Sequence, residues 1–475
     1  MADVTLERPA IPAAVPARIK ASRWLNPLLM ARDPFVYLRR LNRTYGDIVN
    51  LNGGIMDYTF VFSPEYTRRV LTNPDLFHNG EIEDYRLNLP KDSPVLRLAH
   101  TLNAINGEKH RTQRRLMMPA FHRKRVEAYR DDMASLTRQK MDSWQPGQTY
   151  DMMREMKQLT MSVAVKALLG MDPDREGDRT RALVERWIAS GSSLAALVLP
   201  LNFPGTPFYR MVSLAGQIEA EFKELIARKR ASGVDRGDVL SMLIAAHDEN
   251  GERLNDEELV AQTLALFVAG HETTATALAW TLFLLSQHPR VMSDLVDELE
   301  GKLHGDFPTV EQVNELPLLD RVIKESMRVL SPFLWGLRIT TEPCEIGPYS
   351  LPRSRTVGFA PAIIHHNPDF YPEPERFLPR RWETIDPSPY EYLPFASGPR
   401  MCIGATFALM EMKIILPAML QRYRLTLAPG AKIDRVGFLL AQPARGLPMQ
   451  VNRQDHNFVF NPARGNIHAA VKLPK

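Results

Sequence analysis

Cysteine is nearly missing from this chain of 475 residues, which carries only Cys344 and Cys402. A disulfide framework is thereby excluded as the organising principle, and a reducing, cytoplasmic compartment is favoured. Cys344, in the turn-rich stretch Thr340–Ser350, reads as inert packing. Long apolar runs are missing too. Residues Met1–Arg18 are broken by Pro9, Pro12 and Pro16, so neither a signal peptide nor a membrane anchor is expected there. The most apolar long segment, Leu259–Leu285, contains Gln262, His271 and Glu272, which suits a buried helix better than a membrane span. No Ser/Gly-rich or highly charged linker, internal repeat or low-complexity tract divides the chain. One large domain is therefore expected, although length alone suggests about three. Neither sign of charge dominates: the net charge is +4. Without interleaved aromatics or a known module, nucleic acid is a poor partner.

What is present is an ample core, with 44% hydrophobic and 24% charged residues. The chain is Pro-rich and then amphipathic up to about Tyr45. GDIVNL and TFVFS read as short strands, and Pro64–Leu71 begins a helix. Helical periodicity dominates from about Arg125 to Glu300. Strand-like pieces return between Gly336 and Phe359 and after Tyr423, and the proline-dense stretch Pro361–Pro399 reads as a packed meander. The expected class is mainly α with minor β.

The most informative segment is Phe395–Gly404, FASGPRMCIG. A thiol ionises when a metal, a cation or a helix N-terminus stabilises its charge, and Cys402 precedes a predicted helix, Ala405–Arg424. Gly398 and Gly404 permit a tight turn and a close approach to a flat macrocycle, Phe395 shields the sulfur, and Arg400 is placed to reach a haem propionate. The alternative is a buried structural cysteine, the usual fate of an unpaired one.

This segment resembles the cysteine-loop signature of the cytochrome P-450 superfamily, F-x-x-G-x-R-x-C-x-G, at every fixed position. The resemblance, to soluble bacterial-type members, runs from about Gly46 to Val451. It implies a single domain over residues 46–451, preceded by a segment 1–45 and followed by an extension of unknown role, 452–475. Haem b would lie between the long central helix and the helix after the cysteine loop, with Cys402 as the axial ligand of the iron. The implied activity is monooxygenation: one atom of dioxygen enters an apolar small molecule such as a fatty acid, terpenoid or steroid. No flavin or iron–sulfur domain is visible, so electrons from NAD(P)H would arrive through a separate ferredoxin or flavodoxin with its reductase. The run Arg111, Arg114, Arg115, Arg123, Lys124 and Arg125 reads either as a solvated basic face or as a dock for such an acidic donor.

Four further constellations follow. Ala269-Gly270-His271-Glu272-Thr273-Thr274 combines a poor helix former with hydroxyls that compete for backbone carbonyls, which predicts a helix weakened at its centre. By resemblance Glu272 and Thr273 are the acid–alcohol pair that relays protons, Ala269 and Gly270 face the haem, and His271 is packing. Glu325 and Arg328 share a face of the predicted helix Leu318–Leu330. In the family such a pair is completed by a downstream arginine; Arg376 competes, but the spacing of Phe377-Leu-Pro379-Arg-Arg381 selects Arg381 for this structural triad. His110 and Arg114, one helical turn apart, would reach a haem carboxylate, with His110 at a position where the family often has an aromatic residue. Arg338 matches a strand arginine that contacts a propionate. Phe333, Leu334 and Trp335, with Phe267, Leu266, Leu87, Leu89, Val95, Leu96, Leu197–Phe203, Phe438, Leu439 and Leu440, would line an apolar pocket; ordinary core is the alternative for the first three. Arg86 or Arg97 could anchor a fatty-acid carboxylate, a surface arginine being the plainer reading. A haem-thiolate peroxygenase or isomerase, or a non-enzymatic haem sensor, would share the cysteine loop.

Overall fold

Asn255 starts the longest helix of the molecule. Its side chain accepts from the Glu258 N–H at 2.9 Å while the Glu258 carboxylate accepts from the Asn255 N–H at 3.2 Å, a reciprocal cap that satisfies two donors. The helix then runs over Asp256–Gln287, about 48 Å at 1.5 Å per residue. Every residue from Thr274 to Gln287 is buried, so this half is enclosed all round.

The computed structural model describes residues 17–19, 25–51, 57–81, 89, 92–191, 201–234, 236–305 and 307–474. The helices that position the site are α1 (Pro64–Thr72), α2 (Pro94–Ala99), α3 (Gly107–Met117), α4 (Met152–Leu169), α5 (Pro207–Ser232), α6 (Asp256–Gln287), α7 (Pro317–Val329), α8 (Pro361–Ile364) and α9 (Ala405–Arg422). Strands are few: β1 (Ala17–Ile19), β2 (Ile48–Leu51), β3 (Tyr58–Val61), β4 (Phe77–His78), β5 (Thr149–Asp151), β6 (Gly336–Thr340), β7 (Cys344–Ile346), β8 (Tyr349–Leu351), β9 (Thr356–Phe359), β10 (Tyr423–Leu427), β11 (Arg435–Val436), β12 (Gln442–Pro443) and β13 (Pro448–Arg453). The molecule is mainly α with minor β. Its largest sheet has the order β1-β2-β3-β9-β6-β4. There β2 and β3 pair antiparallel from Ile48↔Val61 to Leu51↔Tyr58, while β6 aligns Arg338 with Val357 of β9.

Two cores form. The larger surrounds α4, α6, α7 and α9; the smaller, with Ile48, Val61, Phe77, Val357, Phe359 and Leu393, lies under the largest sheet. Among the described residues no helix is long and apolar enough to cross a membrane. Helix α9 stops at Arg422, two residues before the predicted end, because Tyr423 and Arg424 begin β10. The extension after residue 451 is part of the packed body over its described residues: Ile467, Ala470 and Val471 are fully buried, Gln287 at the end of α6 donates to the Asn461 carbonyl at 3.0 Å, and Lys472 N–H donates to the Glu375 carbonyl at 2.7 Å.

Candidate functional site

The cysteine loop closes on itself before α9 begins. Cys402 N–H donates to the Phe395 carbonyl at 2.9 Å and Met401 N–H to the Gly398 carbonyl at 3.0 Å. Gly398 has φ +75°, and a Cβ there would stand 2.6 Å from the Leu71 carbonyl oxygen of α1, so only glycine fits. Gly404 differs from the expectation of a tight turn: its φ is −89°, and a Cβ would meet no protein atom within 4 Å. Open space, not the bend, is what glycine leaves at this position. Cys402 is accessible to solvent, yet enough protein surrounds it that burial raises the thiol pKa; the Gly404 N–H and the Arg114 charge act the other way. Of the three stabilisers expected for the thiolate, the nearby cation and the backbone N–H at the helix end are present but are outweighed by desolvation, so a bound metal would have to supply the rest.

Beside this loop lies a knot of positive groups. Arg114 of α3 donates to the Met401 carbonyl at 2.8 Å. Arg400 donates to the Leu102 and Ile105 carbonyls at 3.2 and 2.8 Å and to Asn106 Oδ1 at 2.7 Å, which leaves its buried Nε without a partner. Arg338 is buried over the Phe359 ring and donates only to the Leu337 carbonyl. His110 is 4% exposed. These charges disfavour one another. Burial, then Arg400 and Arg114, pushes the His110 imidazole down to about 4; burial and Arg400 lower Arg338 to about 10, and burial and Arg114 lower Arg400 to about 10. No carboxylate pairs with Arg114, Arg338 or Arg400 among the described residues. An orphaned guanidinium N–H and three covered or half-covered arginines without a paired carboxylate among the described residues fit a group carrying two carboxylates, as haem does. The expectation for Arg400 narrows accordingly: most of its donors tie the cysteine loop to residues 102–106, and Nε is the buried nitrogen left without a partner.

The middle of α6 supplies a second wall. Ala269 is exposed within an otherwise well-covered helix, and a Cβ on Gly270 would find its nearest neighbour, Leu168 Cδ1, at 3.9 Å. The helix is not broken there. Thr273, Thr274 and Thr276 hydroxyls donate to the carbonyls of Ala269, Gly270 and Glu272 at 2.7, 3.0 and 2.8 Å, so competition for carbonyls is local and leaves the helical assignment continuous. Glu272 accepts from Lys157 Nζ of α4 at 3.0 Å, a partner 115 residues away that sequence reasoning missed. Phe267 is a correction. With His271 and Thr274 it occupies the opposite face of α6, fully buried, its ring 5.9 Å from the His271 imidazole; it is core, not lining.

The apolar residues after α7 also divide. Trp335 is fully buried, edge-on to Phe60 and Phe438, and its indole donates to the Phe438 carbonyl at 2.7 Å. Leu334 is buried as well, with its N–H on the Leu439 carbonyl at 2.9 Å. Both are therefore core, pinning the β11–β12 connection, whereas Phe333 is half-buried and Phe438 and Leu439 are 45% and 43% exposed. Arg97 is not free to anchor a carboxylate: it makes a two-pronged pair with Glu219 of α5 at 2.8 and 2.7 Å. Arg86, Leu87 and residues 197–200 lie outside the described residues. Three of the six residues of the basic run are matched by acids, Arg111 with Glu108 and Asp75, Arg115 with Asp248, and Arg123 with Glu127. Its pull on an acidic donor is weaker than the sequence suggests.

Glu325, Arg328 and Arg381 meet in the interior. Arg328 forks onto both Glu325 oxygens at 2.9 Å, Arg381 Nε joins Oε1 at 2.9 Å, and Trp382, which sequence reasoning missed, adds its indole N–H to Oε2 at 3.0 Å. The remaining donors bind carbonyls of His365, Pro372, Glu373, Pro374 and Arg376. Arg376 itself points to the surface and pairs with Glu373.

Residues 21–447 match the family model of cytochrome P-450. A cyclooctat-9-en-7-ol 5-monooxygenase of Streptomyces melanosporofaciens is 34% identical, covering 86% of this chain and 88% of its own length. A cyclooctatin synthase of the same organism is 32% identical, with 86% and 89% covered. The fold is shared with the retinoic acid-bound cyanobacterial CYP120A1, at TM-score 0.81 and 24% identity over 93% of this chain and all of that one. The P-450DA heme domain gives the same TM-score at 22% identity over 95% of this chain. The protein therefore belongs to the cytochrome P-450 family of monooxygenases, oxidoreductases that carry haem b through a cysteine thiolate.

Proposed function

We propose that this chain hydroxylates an apolar, cyclic, terpenoid-like molecule, with Cys402 as the thiolate ligand and electrons drawn from NAD(P)H through a separate ferredoxin or flavodoxin and its reductase. The observation that carries the reading is the cysteine loop set against a cluster of Arg114, Arg338 and Arg400 with which no carboxylate among the described residues pairs. The substrate class is supported by a relative named for oxidising a cyclic alkenol at one ring position, and by the apolar character of Leu266, Ala269, Phe333 and Leu439.

When bound, haem supplies the activation of dioxygen, so that with two electrons and two protons one oxygen atom enters a C–H bond and the other leaves as water. The residues provide the setting. Cys402 would hold the iron; Arg114, Arg338, His110 and Arg400 Nε would hold the propionates. Ala269 and Gly270 keep side-chain bulk off the macrocycle. Glu272, partly exposed and held by Lys157, is placed to exchange a proton with solvent. Thr273 Oγ1 donates to the Ala269 carbonyl; with that hydrogen bond broken, the hydroxyl could take a proton on a lone pair and pass its own to a group bound beside it.

The test begins with spin-state titration of the holoprotein against cyclic terpene alcohols, steroids and fatty acids. With the best ligand, Thr273→Ala is expected to send reducing equivalents to hydrogen peroxide and lower product per NAD(P)H. Unchanged coupling would refute the relay. Spin shifts confined to fatty acids would refute the substrate class.

A further inference from the structure

The strand of chain entering the cysteine loop is held from below by a histidine that neither the proton relay nor the propionate cluster uses. His365, at the end of α8, is fully buried. Its backbone carbonyl accepts from Arg328 Nη1 at 2.7 Å, and its imidazole Nε2 faces the Leu393 N–H at 2.8 Å. Because a backbone N–H can only donate, Nε2 must carry the lone pair and Nδ1 the proton. That Nδ1–H has no partner and is buried. Tyr392 lies between the two sides of this joint: its ring is 5.6 Å from His365 and edge-on to Trp382 at 4.7 Å, and its hydroxyl donates to the Lys324 carbonyl of α7 at 3.1 Å. Two residues past Leu393, the Phe395 carbonyl receives the Cys402 N–H.

We infer that His365 is a positioning residue that transmits the rigidity of the Glu325–Arg328–Arg381 clamp to the cysteine loop, so that the sulfur of Cys402 is held at one height beneath the macrocycle. His365 spans the gap between the two through both its main chain and its ring, with Tyr392 beside it. Arg328 fixes its main chain, and its ring fixes Leu393. Removing the acceptor strands a buried N–H at the root of the loop, and the loop then relaxes and releases the thiolate more readily. Protonation would turn Nε2 into a donor facing a donor; burial and the neighbouring Arg328 charge push this imidazole down to about 3, which keeps the acceptor form.

The inference rests on Cys402 being the haem ligand, and the experiment separates the two. Wild-type holoprotein, reduced and carbon monoxide-bound, reports the ligand by its red-shifted Soret band; absence of that band in wild type would defeat the ligand assignment itself. Given the band, His365→Leu is expected to lose it about tenfold faster than wild type in mild denaturant, while His365→Gln, whose amide oxygen can accept from Leu393, stays within about twofold. Equal rates for the two variants, or a Leu variant as persistent as wild type, overturn the joint. Should the Leu variant yield no holoprotein, amide exchange in wild type decides: strong protection at Leu393 supports the joint, and exchange as fast as an exposed loop amide overturns it.

Discussion

Two groups of arginines lie within this fold, and they differ in what answers their charge. Around Glu325 a carboxylate takes four donors from three side chains, Arg328, Arg381 and Trp382, and other guanidinium hydrogens find backbone carbonyls. Around Cys402 the charges on Arg114, Arg338 and Arg400 disfavour one another and help keep His110 neutral, and the carbonyls the arginines reach do not neutralise them. The first arrangement is complete within the protein. The second has no paired carboxylate among the described residues, as a cradle for an anion from outside would. Buried arginine alone thus says little about function; the presence or absence of its counter-charge tells structural support from a ligand cradle.

The largest effect should come from breaking the complete group. Glu325→Ala leaves two buried guanidiniums without their anion, and a loss of about 3–5 kcal/mol in unfolding free energy is expected, with little soluble holoprotein. Urea denaturation measures it, and a loss below about 1 kcal/mol would show that the clamp is not what it looks like. The incomplete group should answer in the opposite sense. Arg338→Leu relieves repulsion, so the haem-free protein should be as stable as wild type or more so, while haem passes to an excess of a scavenger protein about tenfold faster. Parallel losses of apoprotein stability in both variants would erase the distinction between the two clusters.

What could be read from the sequence depended on how local each feature is. The predominance of helix followed from periodicity over long windows, and β2 and β3 from short apolar runs ended by turn residues. Glu325 and Arg328 lie one turn apart and meet wherever that helix is placed, and the interval to Phe377 and Pro379 singled out Arg381 over Arg376. Arrangements that depend on facing were harder. Phe267 and Trp335 sit in stretches so apolar that the pattern does not say which face meets the core and which the cleft. Pairs that join distant segments, Lys157 with Glu272 and Arg97 with Glu219, leave no local trace at all. The extension after residue 451 looked unassigned because it carries no motif, yet Ile467 and Val471 complete the packing against the meander.

A subtler contrast between the clusters lies in their response to acid. An exposed histidine titrates near 6.5, and His110 in the haem-free fold is pushed down to about 4 by burial and by its cationic neighbours. Between those values the unfolded chain binds a proton that the folded chain refuses, so His110 contributes nothing unfavourable above about pH 6.5 and costs stability progressively as the pH falls toward 4. His110→Asn should therefore flatten the fall in the urea midpoint of the apoprotein between pH 7 and pH 5. Two carboxylates seated among Arg114, Arg338 and Arg400 would offset the repulsion and let the imidazole protonate, so the same substitution should change the pH slope of the holoprotein much less. An equal change in both forms would mean that burial alone depresses His110 and that the bound anions do not face it.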